Sequence, residues 1–340
     1  MKPEDRFVEK LRALLPKADA VSIGPGDDAA VIAREAGLLV ATTDLLVEGV
    51  DFFPGEDPER LGRRAAAVNL SDLAAMGAEP EFFLLSIAFP SAKGDSFPLA
   101  VARGAIARAG AFGAQLVGGD LSSASQTVLS IALWGKPVGS LLRRSGAAVG
   151  DRLYLSGHPG EAAAGLLLAR RLAAFADQGS APTPRFPEIS AGDQRRLLEA
   201  YHDPTPRIGL GLSLSRERLA SAAIDISDGL GVDAGRLARA SGVRLVLEAD
   251  RLPASSALFS FAAMEDLDPL DLMIGGGDDY ELLFAVRPQD EARLEEHAGA
   301  FGVPVTRIGR AERGGGAVLR DSRGERDVAE LGHDHLESPR

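Results

Sequence analysis

The sequence predicts an α/β (α+β) protein built as two domains. Three observations carry that prediction. The chain has 340 residues and is 45% hydrophobic, enough for a sizeable core and, at the usual domain size, closer to two domains than to one. Both halves alternate short apolar, strand-like runs with longer stretches of helical periodicity. Each half also sets aspartates beside glycines at expected strand ends, which points to two related units around one cleft.

Taken in order, residues 1–15 alternate charged and apolar positions as an amphipathic helix does. Residues 37–41 are a short apolar run that reads as a buried strand delivering Thr42-Thr43-Asp44 at its end. Residues 60–76 place Leu61, Ala65, Val68 and Leu73 near helical spacing and stop at Gly77, which puts Asp72 in the last turn. A strand over 82–89, a helix over 97–112 and a strand over 114–117 follow, the last running into Gly118-Gly119-Asp120. An apolar strand over 127–135 closes the half, and Trp134 at its end is assigned to core packing.

The turn residues of 143–146 and 149–151 mark a boundary. Beyond it a strand over 152–156 leads through a glycine-rich turn at 157–160 into a helix over 161–175. Residues 177–190, rich in Pro, Gly and Ser, form a surface loop. A helix over 191–200, a Pro-rich turn at 202–206, a strand at 222–226, a helix over 232–240 and strands at 243–248 and 281–286 complete the unit. The expected division is therefore an N-terminal domain of residues 1–140, a C-terminal domain of 141–312, and a polar tail of 313–340 that is only partly ordered.

Charge and composition exclude several function classes. The net charge is -12, whereas a nucleic-acid backbone calls for clustered positive charge. Without any Cys there is no disulfide framework, thiolate zinc site or Cys nucleophile. No apolar run approaches the length of a membrane span, so the expectation is a cytoplasmic protein. The only lysines are Lys2, Lys10, Lys17, Lys93 and Lys136, and no Walker-type phosphate loop exists. Any bound phosphates must be neutralised by metals and arginines. His158, His202, His297, His333 and His335 show no zinc-like spacing.

What remains is a dispersed set of acids, several of them next to glycines: Asp27-Asp28, Asp44, Asp72, Asp120, Asp225 with Asp228, and Asp278-Asp279. Each motif has a plain structural reading as a turn, a cap or a solvated helix residue. Together they match what Mg²⁺ requires, since it takes oxygen ligands and binds through a few carboxylates plus substrate phosphates. Asp72 lies on a mostly apolar segment and needs a partner there. Three successive glycines before Asp278-Asp279 suit a phosphate or metal loop.

The blocks Gly24 to Val31, Thr42 to Val50, Ala67 to Ala78, Ile224 to Leu230 and Gly276 to Leu282 resemble, in this order, the thiamine-monophosphate kinase family. The resemblance runs to about Gly309. It implies the fold of aminoimidazole ribonucleotide synthetase, with an N-terminal domain that dimerises through its sheet and binds ATP and Mg²⁺. It implies direct in-line transfer of the γ-phosphoryl group of ATP to thiamine monophosphate in a homodimer, assisted by several Mg²⁺ ions. Carried over by position, Asp28, Thr42, Thr43, Asp44, Asp72, Asp120, Asp225 and Asp228 match the metal ligands, with Asp44, Asp72 and Asp120 central to catalysis. Gly119, Asp120, Arg144 and Ser227 match the ATP contacts. Asp51 stands where the family usually has a substrate-contacting His, and Asp278 where it usually has a Glu at the thiamine end; His333 is the nearest match to a substrate-stacking aromatic. A related enzyme with another acceptor, and a non-catalytic nucleotide or thiamine-phosphate binding module, stay open on the sequence.

Overall fold

The computed structural model describes residues 21–23, 27, 30–34, 37–177, 186 and 189–334. The chain divides into two units. The first is built on the sheet of β1 (Val21–Ile23), β2 (Ala30–Arg34), β3 (Gly37–Val47), β4 (Ala78–Phe89), β5 (Gln115–Ser123) and β6 (Val128–Pro137), in the order β1-β2-β3-β6-β4-β5. Only β4 and β5 run parallel; the other neighbours are antiparallel. Between the strands lie α1 (Pro58–Ala75) and α2 (Ser96–Gly110).

Helix α1 starts where the sequence signals it. Asp57 accepts a hydrogen bond from Arg60 N at 2.7 Å and Pro58 occupies the first turn, where its missing N–H costs nothing. The helix packs its apolar stripe, including Leu61, Val68, Leu70 and Leu73, onto the sheet face that presents Val40, Phe83, Leu85, Ile131 and Leu133.

The second unit contains β7 (Arg152–Ser156), α3 (Glu161–Asp177) and α4 (Ala191–His202). Next in the chain comes α5 (Ile208–Arg216), within a segment, Thr205–Leu219, that belongs to the first unit. The second unit resumes with β8 (Ala222–Ile226), α6 (Leu230–Ser241), β9 (Arg244–Glu248), α7 (Ser256–Glu265), α8 (Pro269–Gly275), β10 (Glu281–Val286), α9 (Glu291–His297), β11 (Val305–Glu312), β12 (Ala317–Asp321) and β13 (Gly324–Asp327). Its sheet has the order β13-β12-β9-β11-β7-β10-β8, with β9 and β12 parallel. Strands β8 and β10 are buried throughout, so apart from Asp225 and Glu281 they are apolar on both faces rather than alternating.

Four sequence expectations are corrected. Thr42-Thr43-Asp44 lies in the middle of β3, because β6 pairs with that strand as far as Val47. Gly118-Gly119-Asp120 is strand interior, not a strand exit. Trp134 is only partly buried and stacks on Phe82 at 5.4 Å, on the sheet face away from α1. The chain beyond Gly314, expected to be only partly ordered, supplies β12 and β13, and Ala317, Leu319 and Val328 are buried in the second core.

Candidate active site

In a strand, alternate side chains point to opposite faces, so the register decides which acids can meet. Val40, Thr42, Asp44 and Leu46 share the β3 face beneath α1. There the Thr42 hydroxyl donates to Asp72 Oδ2 of α1 in a short hydrogen bond, and the backbone N–H of Asp44 donates to Asn69 Oδ1 at 3.0 Å. Asn69 is buried and anchored in turn by donating to Ala65 O at 2.9 Å, one helical turn back. The 42–44 and 69–72 motifs, remote in sequence, thus form one polar insert in an apolar layer.

Thr43 faces the other way and is exposed. Asp120 is also on that far face. The ladder runs Asp44 opposite Ile131, Ile131 opposite Leu85 and Leu85 opposite Gly119; one residue on, Asp120 lies in the row of Leu45, Ser130 and Ser86. Period-two alternation therefore separates Asp120 from Asp44 and Asp72. Gly119 has a structural reason to be glycine: a Cβ there would stand 1.8 Å from Leu85 O. The close approach that calls for glycine here is made to the neighbouring strand. Asp28 lies outside the described residues.

Asp51 closes the turn that ends β3, accepting from Val47 N at 2.7 Å through Oδ2 while its own N–H donates to Val47 O at 2.9 Å. Beside it is a polar cluster without a sequence signature. Glu48 accepts from Lys93 Nζ at 2.8 Å and from Thr127 N at 2.7 Å, and Lys93 also donates to Thr127 Oγ1 at 2.7 Å. Burial alone would raise the Glu48 carboxyl, but the Lys93 and Thr127 donors outweigh it and hold the group below its ordinary value.

The second unit gathers its own set at the ends of β8 and β10. Asp225 ends buried in β8, opposite Leu282 of β10. Asp228 pairs with Arg236, which also reaches Asp233 at 2.8 Å. Asp233 accepts from the backbone N–H groups of Ser227, Asp228 and Gly229 at 3.1, 3.1 and 3.2 Å, fixing the 227–229 turn onto the start of α6. Burial pushes Asp233 up to about 7 even against Arg236, with the Asp228 charge adding to the rise and Arg144 opposing it. The segment after Arg144 is held by Ser241 of α6, whose hydroxyl donates to Arg144 O at 2.8 Å. Neither Asp233 nor Arg236 was a candidate from sequence, since an acid and an arginine in the first turns of a helix read as ordinary capping and surface charge.

Asp278 and His333 come to the same place. Asp278 N donates to Ser227 O at 2.7 Å and His333 N to Asp228 O at 2.8 Å. The glycines before Asp278 allow this, because a Cβ on Gly277 would stand 2.5 Å from Ser227 O. The N-terminus of α3, after the 157–160 turn, is taken by Asp279, which accepts from Gly160 N and Ala162 N. Its loss of solvent pushes the Asp279 carboxyl well above the ordinary range, against the lowering effect of those bonds. Among the described residues, no three His, Asp or Glu side chains converge as a ready-made metal centre.

Two α/β units, each with carboxylate and hydroxyl side chains set on or beside a sheet, agree with the family to which the chain belongs, the AIR synthase related proteins. The N-terminal domain model of that family matches residues 26–136 and the C-terminal domain model residues 148–322. Within it, the chain belongs to the thiamine-monophosphate kinase family. The Salmonella typhimurium thiamine-monophosphate kinase is 37% identical over 291 residues, covering 85% of this chain and 84% of that protein. The structure of AaThiL complexed with AMPPCP and TMP superposes with a TM-score of 0.81 at 28% identity, covering 98% of this chain and 96% of that one. The thiamine-monophosphate kinase of Stenotrophomonas maltophilia gives 0.74 at 35% identity, covering 94% and 96%.

Proposed function

We propose that this chain transfers the γ-phosphoryl group of ATP to the phosphate of thiamine monophosphate in line, giving ADP and thiamine diphosphate, as the last step of thiamine diphosphate biosynthesis. The observation that carries the reading is the pairing of Thr42 with Asp72 and of Asp44 with Asn69 on one sheet face, in a chain matched along 98% of its length by a protein complexed with AMPPCP and TMP.

The donor set suits Mg²⁺. It consists of hydroxyl and carboxylate oxygens, without Cys. Mg²⁺ takes few protein carboxylates and fills its shell with water and substrate phosphates. On this reading Asp28, Thr42, Thr43, Asp44, Asp72, Asp120, Asp225 and Asp228 hold the metals. Bound there, Mg²⁺ would neutralise charge developing on the phosphate oxygens.

The remaining roles fall to the chain itself. The Thr42 hydroxyl and Asn69 amide orient Asp72 and the Asp44 backbone. Gly119, Asp120, Ser227 and Arg144 contact ATP, Arg144 supplying a rigid donor fork for phosphate. Asp51, Asp278 and His333 contact the acceptor. A phosphate monoester loses its second proton near pH 6, at about the value known for phosphorylated side chains, so at neutral pH its oxygen attacks without a base. That agrees with a site whose reading needs no catalytic His.

The N-terminal domain, residues 1–140 joined by Thr205–Leu219, is assigned the ATP, Mg²⁺ and dimerisation roles, and the rest of 141–312, continued by β12 and β13, the second α/β domain. Support for a homodimer comes from the far face of the first sheet, where Leu45 is 56% and Leu84 37% exposed beside Phe82 and Trp134. Asp120 would take part from that covered face. A cytoplasmic location without nucleic-acid or membrane partners belongs to the same proposal, the net charge of -12 weighing against a nucleic-acid backbone; no helix among the described residues is long and apolar enough to cross a membrane. The test is to incubate the purified protein with ATP, Mg²⁺ and thiamine monophosphate and to measure thiamine diphosphate directly. Metal-dependent product, abolished by EDTA, is expected; ATP binding with no product would reject the kinase in favour of another acceptor or a binding module.

A further inference from the structure

Between Asp278 and Tyr280 the backbone is unusual. Asp278 has φ +64° and Tyr280 φ +50°, two side-chain-bearing residues in the left-handed region on either side of Asp279. Such conformations persist only where surrounding contacts over-determine them, and they concentrate at functional positions.

The contacts here are specific. Asp278 N and Tyr280 N each donate at 2.7 Å, to Ser227 O and Ile226 O, so the loop is sewn to the segment carrying Asp225 and Asp228. The Tyr280 hydroxyl donates to Asp278 Oδ1 at 2.9 Å and fixes the direction of that carboxylate. Asp279 points the other way. Gly160 N donates to both of its oxygens, at 3.0 and 2.9 Å, and Ala162 N to Oδ1 at 3.4 Å, placing its charge at the positive end of the 17-residue helix α3. That helix end already holds a carboxylate on its Gly160 and Ala162 N–H groups. Its carboxylate is supplied from within the chain, by the residue between the two strained ones.

We infer that Asp279 is a positioning residue: anchored on the N-terminus of α3, it holds the left-handed turn that aims Asp278 beside the Ser227–Asp228 segment. Asp279 touches no substrate and acts through Asp278 and Tyr280. The consequence for catalysis rests on the kinase reading above, in which Asp278 meets the acceptor; the consequence for the loop does not. A carboxylate buried only to hold a fold would not distinguish acceptor from nucleotide. Asp151 offers that comparison. It lies in the same unit before β7, near where β10 ends, is 3% exposed, and accepts from Ala148 N at 3.0 Å and the Ser221 hydroxyl at 2.6 Å.

The experiment uses the full chain with Asp279→Ala, Asp279→Asn and Asp151→Asn. The first readout is amide hydrogen exchange without substrate, at Asp278 and Tyr280, which should quicken by at least about tenfold in Asp279→Ala, less in Asp279→Asn, and not in Asp151→Asn. The second is steady-state kinetics with ATP and thiamine monophosphate. Asp279→Ala should raise KM for the acceptor by about tenfold or more with KM for ATP moved less than about threefold, and Asp279→Asn should recover part of the loss. If Asp279→Ala does not fold, Asp279→Asn alone decides on both readouts. Unchanged exchange at Asp278 and Tyr280 overturns the positioning role, as does a KM change shared equally by both substrates or reproduced by Asp151→Asn. Wild-type protein that forms no thiamine diphosphate rejects the kinase reading instead, and the exchange rates at Asp278 and Tyr280 then decide the role of Asp279 alone.

Discussion

Thr42 and Asp72 are 30 positions apart, and one hydrogen bond joins them across the layer between β3 and α1. Removing charge at Asp72 tests that pair most directly. Asp72→Asn keeps the shape and an acceptor for Thr42, so the fold should survive, while kcat should fall by about 100-fold or more, matching several kcal/mol of lost charge stabilisation. Near-normal turnover with an unchanged circular dichroism spectrum would remove Asp72 from the site. Glu48 makes a prediction about pH. Its folded carboxyl titrates below the ordinary 4.5, so the stability it contributes is present above that value and is lost as pH falls through the folded pKa. Glu48→Gln should therefore cost about 1 kcal/mol at pH 7, and the gap to the parent protein should close in thermal melts below pH 4.5. A gap of constant size would mean that the Lys93 and Thr127 contacts do not depend on charge. At this scale Asp44, Asp72, Asp225 and Asp228 stood out in the sequence as the proposed oxygen ligands. Glu48, Lys93 and Thr127 were not, because their meeting depends on loops 34 to 79 residues apart in the chain.

The elements that the sequence signalled well are those with local causes. Helix α1 has a capping Asp57, Pro58 and a regular apolar stripe, and β7 and β8 are short apolar runs between turns. Helix α5 gave no such signal. It is a nine-residue helix after a Pro-rich turn with no side-chain cap, and it belongs to the first unit, not to the unit that surrounds it in the chain. Its docking rests on a close approach: a Cβ on Gly211 would stand 2.1 Å from Ala74 O of α1. Gly211→Ala should therefore destabilise the first unit by about 1–3 kcal/mol, although alanine is the better helix former. An equal or raised melting temperature would show that α5 is not seated against α1. Strand β5 was recognised but cut short, because Gly118-Gly119 resembles a turn until β4 is placed beside it.

For the whole molecule, the proposed homodimer predicts that Leu45→Glu, on the exposed face of the first sheet, yields a monomer by sedimentation at concentrations where the parent protein is dimeric. A monomeric parent protein would discard the proposal outright. The proposed Mg²⁺ and ATP sites also predict linkage: Mg²⁺ with a non-hydrolysable ATP analogue at about 100 times Kd should stabilise the fold by about 2.7 kcal/mol, and EDTA should erase the gain. By itself the sequence determined the two-part α/β (α+β) plan, through composition and local periodicity, and the family, through the resemblance of ordered blocks that also proposes the ligands. Only the tertiary structure decided which of those ligands share a face. Asp44 and Asp120 look equivalent as acids beside strands, yet the register of β3, β6, β4 and β5 puts them on opposite sides of one sheet. Such a register is set by pairing among strands distant in the chain and by the packing of α1, and a shift of one residue would reverse every side chain.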